Sequence, residues 1–173
     1  MASIIGHAAV AYALSKALPH SAKKNAIVTV GVLASMLPDL DVLSFKFGIA
    51  YESPLGHRGF THSLLFAILL GLVLMAVFKK YGKQWLLFLY FFLCTMSHGM
   101  LDACTTGGRG VGFLIPFKNE RYFFPWQVIK VSPLGVEKFF SKWGLEVLLS
   151  EFIWIGLPCL LFVLMVKLLN TSK

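Results

Sequence analysis

Long apolar runs with few charges divide this chain into five segments. Three of them are strong: residues 59–78, 84–101 and 145–166. Each has about the 20 residues that an α-helix needs to cross the hydrocarbon core of a bilayer. Two weaker segments precede them, at residues 2–18 and 25–37, and Pro38 directly follows the second. The second is short for a full crossing, so the pattern predicts four or five membrane-embedded helices.

The composition supports this interpretation. The chain has 173 residues, of which 57% are hydrophobic and 14% are charged, whereas about 25% are charged in an average soluble domain. A soluble domain of about 150 residues buries only about 70% of the surface that its unfolded chain exposes, so too much apolar surface would remain in water here. High hydrophobicity also excludes intrinsic disorder, and three cysteines are too few for a disulfide scaffold.

We therefore predict an all-α fold, a polytopic membrane helical bundle that forms one integral membrane domain over residues 1–173. Residues from about 103 to 143 contain no span, and they interleave basic with aromatic side chains. This mixture is typical of surfaces at the level of lipid headgroups. We expect an interfacial loop region there, with membrane lipids as its partners. The net charge is +8, but half of the basic residues flank spans, so neither nucleic acid nor an obligate protein partner is predicted.

The basic residues also predict which way the bundle faces. With five passes, eight basic residues fall on each side of the membrane, but those near Lys79 and Lys80 lie in much shorter loops. Short flanking loops decide orientation under the positive-inside rule. We therefore expect a multi-pass protein of the cytoplasmic membrane with the Lys79 turn in the cytoplasm.

Seven ionisable residues that membrane segments normally exclude are grouped rather than scattered. They are His7, Asp39, Asp41, His57, His62, His98 and Asp102. Because the five segments alternate in direction, all seven come to the end of the bundle opposite the Lys79 turn. Such groups are costly at membrane depth and tend to face an internal site. The sequence therefore predicts a polar site at that end, on the non-cytoplasmic side.

Residue types and spacing favour a metal site. His98 and Asp102 are four residues apart, so they share one face of a helix. Thr61 is a reasonable helix N-cap, which would place His62 in the first turn of the third segment. Ligands of the Asp and His types without thiolates suit Zn²⁺ best, with Mn²⁺ or Fe²⁺ as alternatives. We predict that the seven residues hold one or two ions.

A centre of this kind favours phosphoester hydrolysis. A bound metal lowers the pKa of a water molecule and binds substrate oxygens, and Asp39 or Asp41 could act as general base instead of ligand. Arg58 carries a planar, charged donor fork that suits a phosphate oxyanion, so we predict a catalytic role for it. Residues 105–108 could add hydroxyl and backbone N–H donors to an anion. A phospholipid is the expected substrate class.

Two other functions remain open at this point. Intramembrane His and Asp residues also mark ion pathways, so the first alternative is a divalent-metal transporter. Residues 64–78 contain no polar side chain, which counts against a pore. The second alternative is a non-catalytic membrane protein with a structural metal, whose coordination would be closed to water.

The motifs also resemble a known family. In order, the chain carries GH near its start, then LPDLD, HRGFTHS, SHGMLDACTTGG and IPFKNERYFFPWQVIKVSP. Over about residues 3–136 this combination resembles the YdjM-like family of inner-membrane metal-dependent hydrolases. The resemblance implies a bacterial or archaeal inner-membrane hydrolase with an undefined substrate.

More remotely, that family is similar to zinc-dependent phospholipases C. These are all-helical enzymes whose phosphodiester site is built from His and Asp residues on several helices, including a His-x3-Asp pair. His98 and Asp102 match that pair, and the resemblance offers His7, Asp41 and His62 as further matches.

Overall fold

Helices form where the apolar runs predict them. The computed structural model describes residues 1–19, 22, 25–132 and 140–171. Its α-helices are α1 (Ile4–Ser15), α2 (Asn25–Met36), α3 (Leu64–Phe78), α4 (Gln84–Ala103), α5 (Lys142–Glu151) and α6 (Leu157–Thr171). A π-helical turn, Phe152–Gly156, joins α5 to α6, so the predicted last segment is one continuous helix that is longer at both ends.

Four helical stretches of the described chain are long and apolar enough to cross a membrane. They are Asn25–Phe47, Leu64–Tyr81, Gln84–Ala103 and Lys142–Thr171. Helix α1 is apolar but shorter. Within the described residues there are two isolated backbone bridges and no β-strand. The predicted all-α membrane bundle with four or five embedded helices is confirmed.

The second segment is longer than the sequence suggested. Helix α2 ends at Met36, but the chain continues as a 3₁₀ helix, Leu37–Phe47, with Pro38 in its first turn. Proline is tolerated there because the first N–H groups of a helix have no intrahelical partner to lose. The predicted end of the second segment at residue 37 is therefore wrong, and both aspartates of LPDLD lie on the 3₁₀ helix.

Helix α3 begins later than predicted. Its N-cap is Ser63, whose hydroxyl accepts a hydrogen bond from the Phe66 N–H at 3.1 Å. Thr61 is not the cap, because its hydroxyl donates to Asp41 Oδ2 at 2.7 Å. His62 therefore lies in a 3₁₀ turn just before the helix, not in its first turn.

An apolar core fills the half of the bundle nearer the Lys79 turn. It joins α1, α2 and α4 through Ala11, Leu18, Ala22, Ile27, Leu87, Tyr90, Phe91 and Cys94. Helices α2 and α4 approach closely at Gly31, where a Cβ would lie 2.2 Å from Tyr90 Oη. Only glycine fits at this contact. The buried His, Asp, Glu and Arg residues lie at the opposite end of the bundle.

Beyond α4 the chain is irregular and folds back over that polar end. The Gly112 N–H donates to the carbonyl of Arg58 at 2.9 Å, which ties residues 104–132 to the loop before α3. Trp126 in this region is 76% exposed. That this region lies at the membrane interface stays a prediction. Residues 133–139 of the predicted interfacial region lie outside the described residues.

Candidate metal centre

All seven predicted site residues meet at one end of the bundle. His7 comes from α1, the two aspartates from the 3₁₀ helix after α2, and His98 and Asp102 from the last two turns of α4. His57 and His62 come from the segment between the 3₁₀ helix and α3. Their meeting follows from the alternating helix directions, as the sequence predicted, but the seven side chains do not play equal parts.

Four of the seven residues direct one atom each at a common centre. These residues are Asp39, His62, His98 and Asp102, and their four atoms lie within 4.8 Å of one another. His98 Nε2 is 3.2 Å from Asp39 Oδ1, and His62 Nε2 is 3.6 Å from Asp102 Oδ2. Two ligand atoms of a tetrahedral zinc ion, each bonded at about 2.0–2.1 Å, are about 3.3 Å apart. These two pairs are close to that spacing, whereas His62 Nε2 and Asp39 Oδ1 at 3.8 Å and His98 Nε2 and Asp102 Oδ2 at 4.0 Å are further apart.

The same four atoms are buried and make no hydrogen bond: Asp39 Oδ1, His62 Nε2, His98 Nε2 and Asp102 Oδ2. Asp102 Oδ2 has an ion pair with Arg58 Nε at 3.0 Å, but the direction of this contact is not that of a hydrogen bond. A buried polar atom without a partner is costly. These four atoms have as polar neighbours one another and, for Asp102, the Arg58 guanidinium, which fits a cation held between them.

The two histidines present the correct ring nitrogen for a metal. His98 Nδ1 donates to the carbonyl of Ser35 at 2.7 Å. His62 Nδ1 lies 3.1 Å from Thr61 Oγ1, whose own proton goes to Asp41 Oδ2, and 3.1 Å from Asp41 Oδ2 itself. These partners accept, so each Nδ1 carries a proton, and Nε2 of the neutral ring has a free lone pair. Metal-binding histidines in proteins are commonly oriented in this way.

The charge around His62 favours a cation. Burial lowers the pKa of His62, but the carboxylates of Asp102 and Asp41 outweigh this effect and raise the pKa to about 9. The position therefore attracts positive charge, either as a proton on the imidazole or as a metal ion in its place.

Asp41 supports the centre instead of facing it. Its Oδ1 lies 2.6 Å from His57 Nδ1, and its Oδ2 accepts from Thr61 and from the Arg58 N–H at 2.7 and 2.9 Å. Asp39, Asp41 and His57 also form a second group of ligand-type atoms within 4.8 Å. However, Asp41 and His57 are bonded to each other in that group. That Asp41 and His57 bind a metal stays a prediction. Their observed contacts orient His62 and the loop before α3.

His7 lies beside the four-atom centre. Its ring stacks on that of His98, with 3.7 Å between ring centroids, and its Nε2 is 3.7 Å from Asp102 Oδ1. Both ring nitrogens are buried and make no hydrogen bond to any described residue. His7 is thus the next candidate ligand after the four.

Arg58 is buried, with 1% of its surface exposed. Besides the ion pair with Asp102, its Nη1 donates to the Gly107 carbonyl at 3.0 Å and its Nη2 to Thr105 Oγ1 at 3.2 Å. A Cβ at Gly108, which has φ +95°, would lie 2.5 Å from Nη1. The turn at 105–108 therefore surrounds the Arg58 guanidinium and accepts its hydrogen bonds. This differs from the expected donation of hydrogen bonds from the turn to an anion. The catalytic role of Arg58 stays a prediction.

Sequence reasoning missed several residues that hold the centre. Ser35 acts through its backbone carbonyl, which carries no sequence signal. Arg121 donates to the carbonyls of His57 and Tyr51, both at 2.7 Å. Glu151 in the last helix is buried. Cys104, the residue after α4, is outside both ligand groups, and burial raises the pKa of its thiol.

Known proteins show related sequences along nearly the whole chain. A family model described as YdjM inner membrane protein matches residues 1–172. Inner membrane protein YbcI of Escherichia coli (strain K12) is 42% identical over 165 residues, which cover 94% of this chain and 95% of that protein. No solved structure matches the chain. Both names state a membrane location, and neither states an activity.

Proposed function

We propose that this chain, which belongs to the YdjM inner membrane protein family, works as a membrane-bound, metal-dependent hydrolase that cleaves a phosphoester bond in a lipid-like substrate. The observation that carries the proposal is the set of four buried atoms without hydrogen bonds that face one another at the end of the bundle. Asp39, His62, His98 and Asp102 would hold the ion. Zinc is the favoured metal, because the donors are two imidazoles and two carboxylates without a thiolate.

A bound divalent ion would supply an acidified water and polarise the phosphoryl oxygen of a substrate. The protein supplies the geometry around it. The side chain of Asp39 is 14% exposed, whereas those of His62, His98 and Asp102 are at 0%. A substrate would therefore approach from the side of Asp39. Asp41, whose two oxygens are engaged, is less suited than Asp39 to take up a proton.

Transport of the metal is the less favoured function. The apolar core, with Ile27, Leu87 and Phe91 fully buried, fills the half of the bundle between the centre and the Lys79 turn. Helix α3 adds no polar side chain along its length. A transport path would need polar groups or water along this distance. Among the described residues, the buried His, Asp, Glu and Arg side chains gather at one end only.

The activity is tested with purified protein in detergent, loaded with Zn²⁺ or treated with a chelator. Soluble phosphomonoesters and diesters are compared with phospholipids in mixed micelles. We expect turnover of at least one phosphoester by the zinc form and its loss after chelation. A protein that holds its metal against the chelator and cleaves none of the substrates would instead have a structural metal, and zinc uptake into proteoliposomes would indicate transport.

We further propose that the centre faces the non-cytoplasmic side. The test uses two exposed lysines, Lys118 in the loop over the centre and Lys80 at the opposite end. In spheroplasts, a membrane-impermeant maleimide should label Lys118→Cys above the wild-type background and should label Lys80→Cys only after permeabilisation. The reverse pattern would place the centre in the cytoplasm.

A further inference from the structure

Glu151 is a buried carboxylate that the four-atom centre does not use. It ends α5 within the last helix and is 4% exposed. Its two oxygens accept hydrogen bonds from the backbone N–H and from the hydroxyl of Ser3, the second at 2.5 Å. Glu146, on the same helix, instead pairs with Lys130 at the surface. A buried carboxylate inside a candidate span is costly and is usually retained for a function.

The contact lies one residue away from the candidate centre. Ser3 is the N-cap of α1, and the N–H of the preceding residue, Ala2, donates to Asp102 Oδ1 at 2.8 Å. Two neighbouring residues are thus held by two carboxylates, one from the centre and one from the last helix. With Oδ1 of Asp102 occupied in this way, its Oδ2 is left to face the centre.

The start of α1 is shaped for this approach. A Cβ at Gly6 would lie 3.3 Å from Glu151 Oε2 and 3.0 Å from Ile155 Cδ1, so glycine lets the last helix come close to α1. The residue that follows is His7, whose ring stacks on His98. The GH motif therefore combines a helix contact with a site residue.

We propose that Glu151 is a positioning residue of the metal centre, acting through Ser3 and Ala2 on Asp102 and through the start of α1 on His7. The inference rests on the proposed metal site. Groups that hydrogen-bond directly to a metal ligand typically contribute about 10- to 100-fold to metal affinity. Glu151 acts from further away, through Ser3 and Ala2, so we expect a contribution of up to about 10-fold.

The test compares Glu151→Leu with the matched control Glu146→Leu, using zinc affinity by chelator competition and the visible spectrum of the cobalt form. Leucine is well accepted in a membrane span, so the change should not impair insertion. Glu151→Leu should lower zinc affinity by up to about 10-fold and alter the cobalt spectrum, while Glu146→Leu should bind as the wild type does. Glu151→Gln, which keeps an acceptor for the Ser3 N–H, should restore most of the affinity.

Ser3→Ala provides the second arm. It removes the hydroxyl bond to Glu151 and also the N-cap bond from the Gly6 N–H, so it should lower affinity in the same direction. The loss in the double variant Ser3→Ala/Glu151→Leu should be smaller than the sum of the two single losses, because both changes break the contact between Ser3 and Glu151. Wild-type zinc affinity in Glu151→Leu would overturn this inference and leave the metal site standing, and so would a loss that merely follows reduced thermal stability of the metal-free protein. A wild-type protein without zinc affinity would overturn both.

Discussion

Asp102→Asn is expected to abolish stoichiometric metal binding while leaving the protein inserted in the membrane. The variant keeps the shape of the side chain but removes the charge that faces His62 at 3.6 Å and His98 at 4.0 Å. An amide N–H in the place of Oδ2 would also donate to the imidazole lone pairs and so occupy them. Because residues one step from a metal already contribute 10- to 100-fold, we expect the loss of a direct ligand to exceed about 100-fold in affinity.

Metal content after purification in detergent checks this result, with Glu146→Gln as the control. Glu146 is a partly exposed carboxylate that pairs with Lys130, so its loss removes a negative charge away from the centre. Both variants should reach the membrane fraction at the wild-type level. Wild-type metal content and affinity in Asp102→Asn would remove Asp102 from the site.

Arg58→Met is expected to destabilise the metal-free protein by about 3–5 kcal/mol, the cost of removing one partner of a buried ion pair. The guanidinium of Arg58 is buried against Asp102 and also donates to Thr105 and Gly107. Without it, Asp102 loses its nearest cation, and the turn around the guanidinium loses two hydrogen bonds. Unfolding in detergent, followed by circular dichroism, measures the difference.

Arg109→Met is the matched control for this change. The side chain of Arg109 is 64% exposed and pairs with Glu52, and exposed ion pairs contribute at most about 1 kcal/mol. Arg58→Met should therefore be clearly less stable than Arg109→Met. If the two were equally stable and Arg58→Met lost only turnover, Arg58 would instead act on the substrate, as its chemistry first suggested.

The sequence predicts the helices and their common polar end because both follow from long-range patterns. An apolar run of about 20 residues is enough to place a span, and alternation then brings His7, Asp41, His62 and Asp102 together. The helix ends were less predictable, because Pro38 can either stop a helix or begin a 3₁₀ one. Thr61 was expected to cap the third segment, but its hydroxyl bonds to Asp41, a contact that the sequence does not indicate.

The division of roles within the site could not be predicted from spacing. Whether an aspartate faces a metal or holds a histidine depends on its hydrogen bonds to residues far away in the chain. Asp41 is engaged by Thr61 and by the backbone of Arg58, whereas Asp39 Oδ1 has no such partner. The pairing of Glu151 with Ser3 joins residues 148 positions apart, and no local pattern reports it.

The metal content of the purified wild-type protein tests the central claim most directly. Elemental analysis after reconstitution with Zn²⁺ and removal of loosely bound ions should find about one ion per chain, as expected for a four-ligand centre. The same measurement on Asp102→Asn should find much less than one. A wild-type protein that retains no divalent metal would contradict the account, because the four facing atoms would then need another explanation.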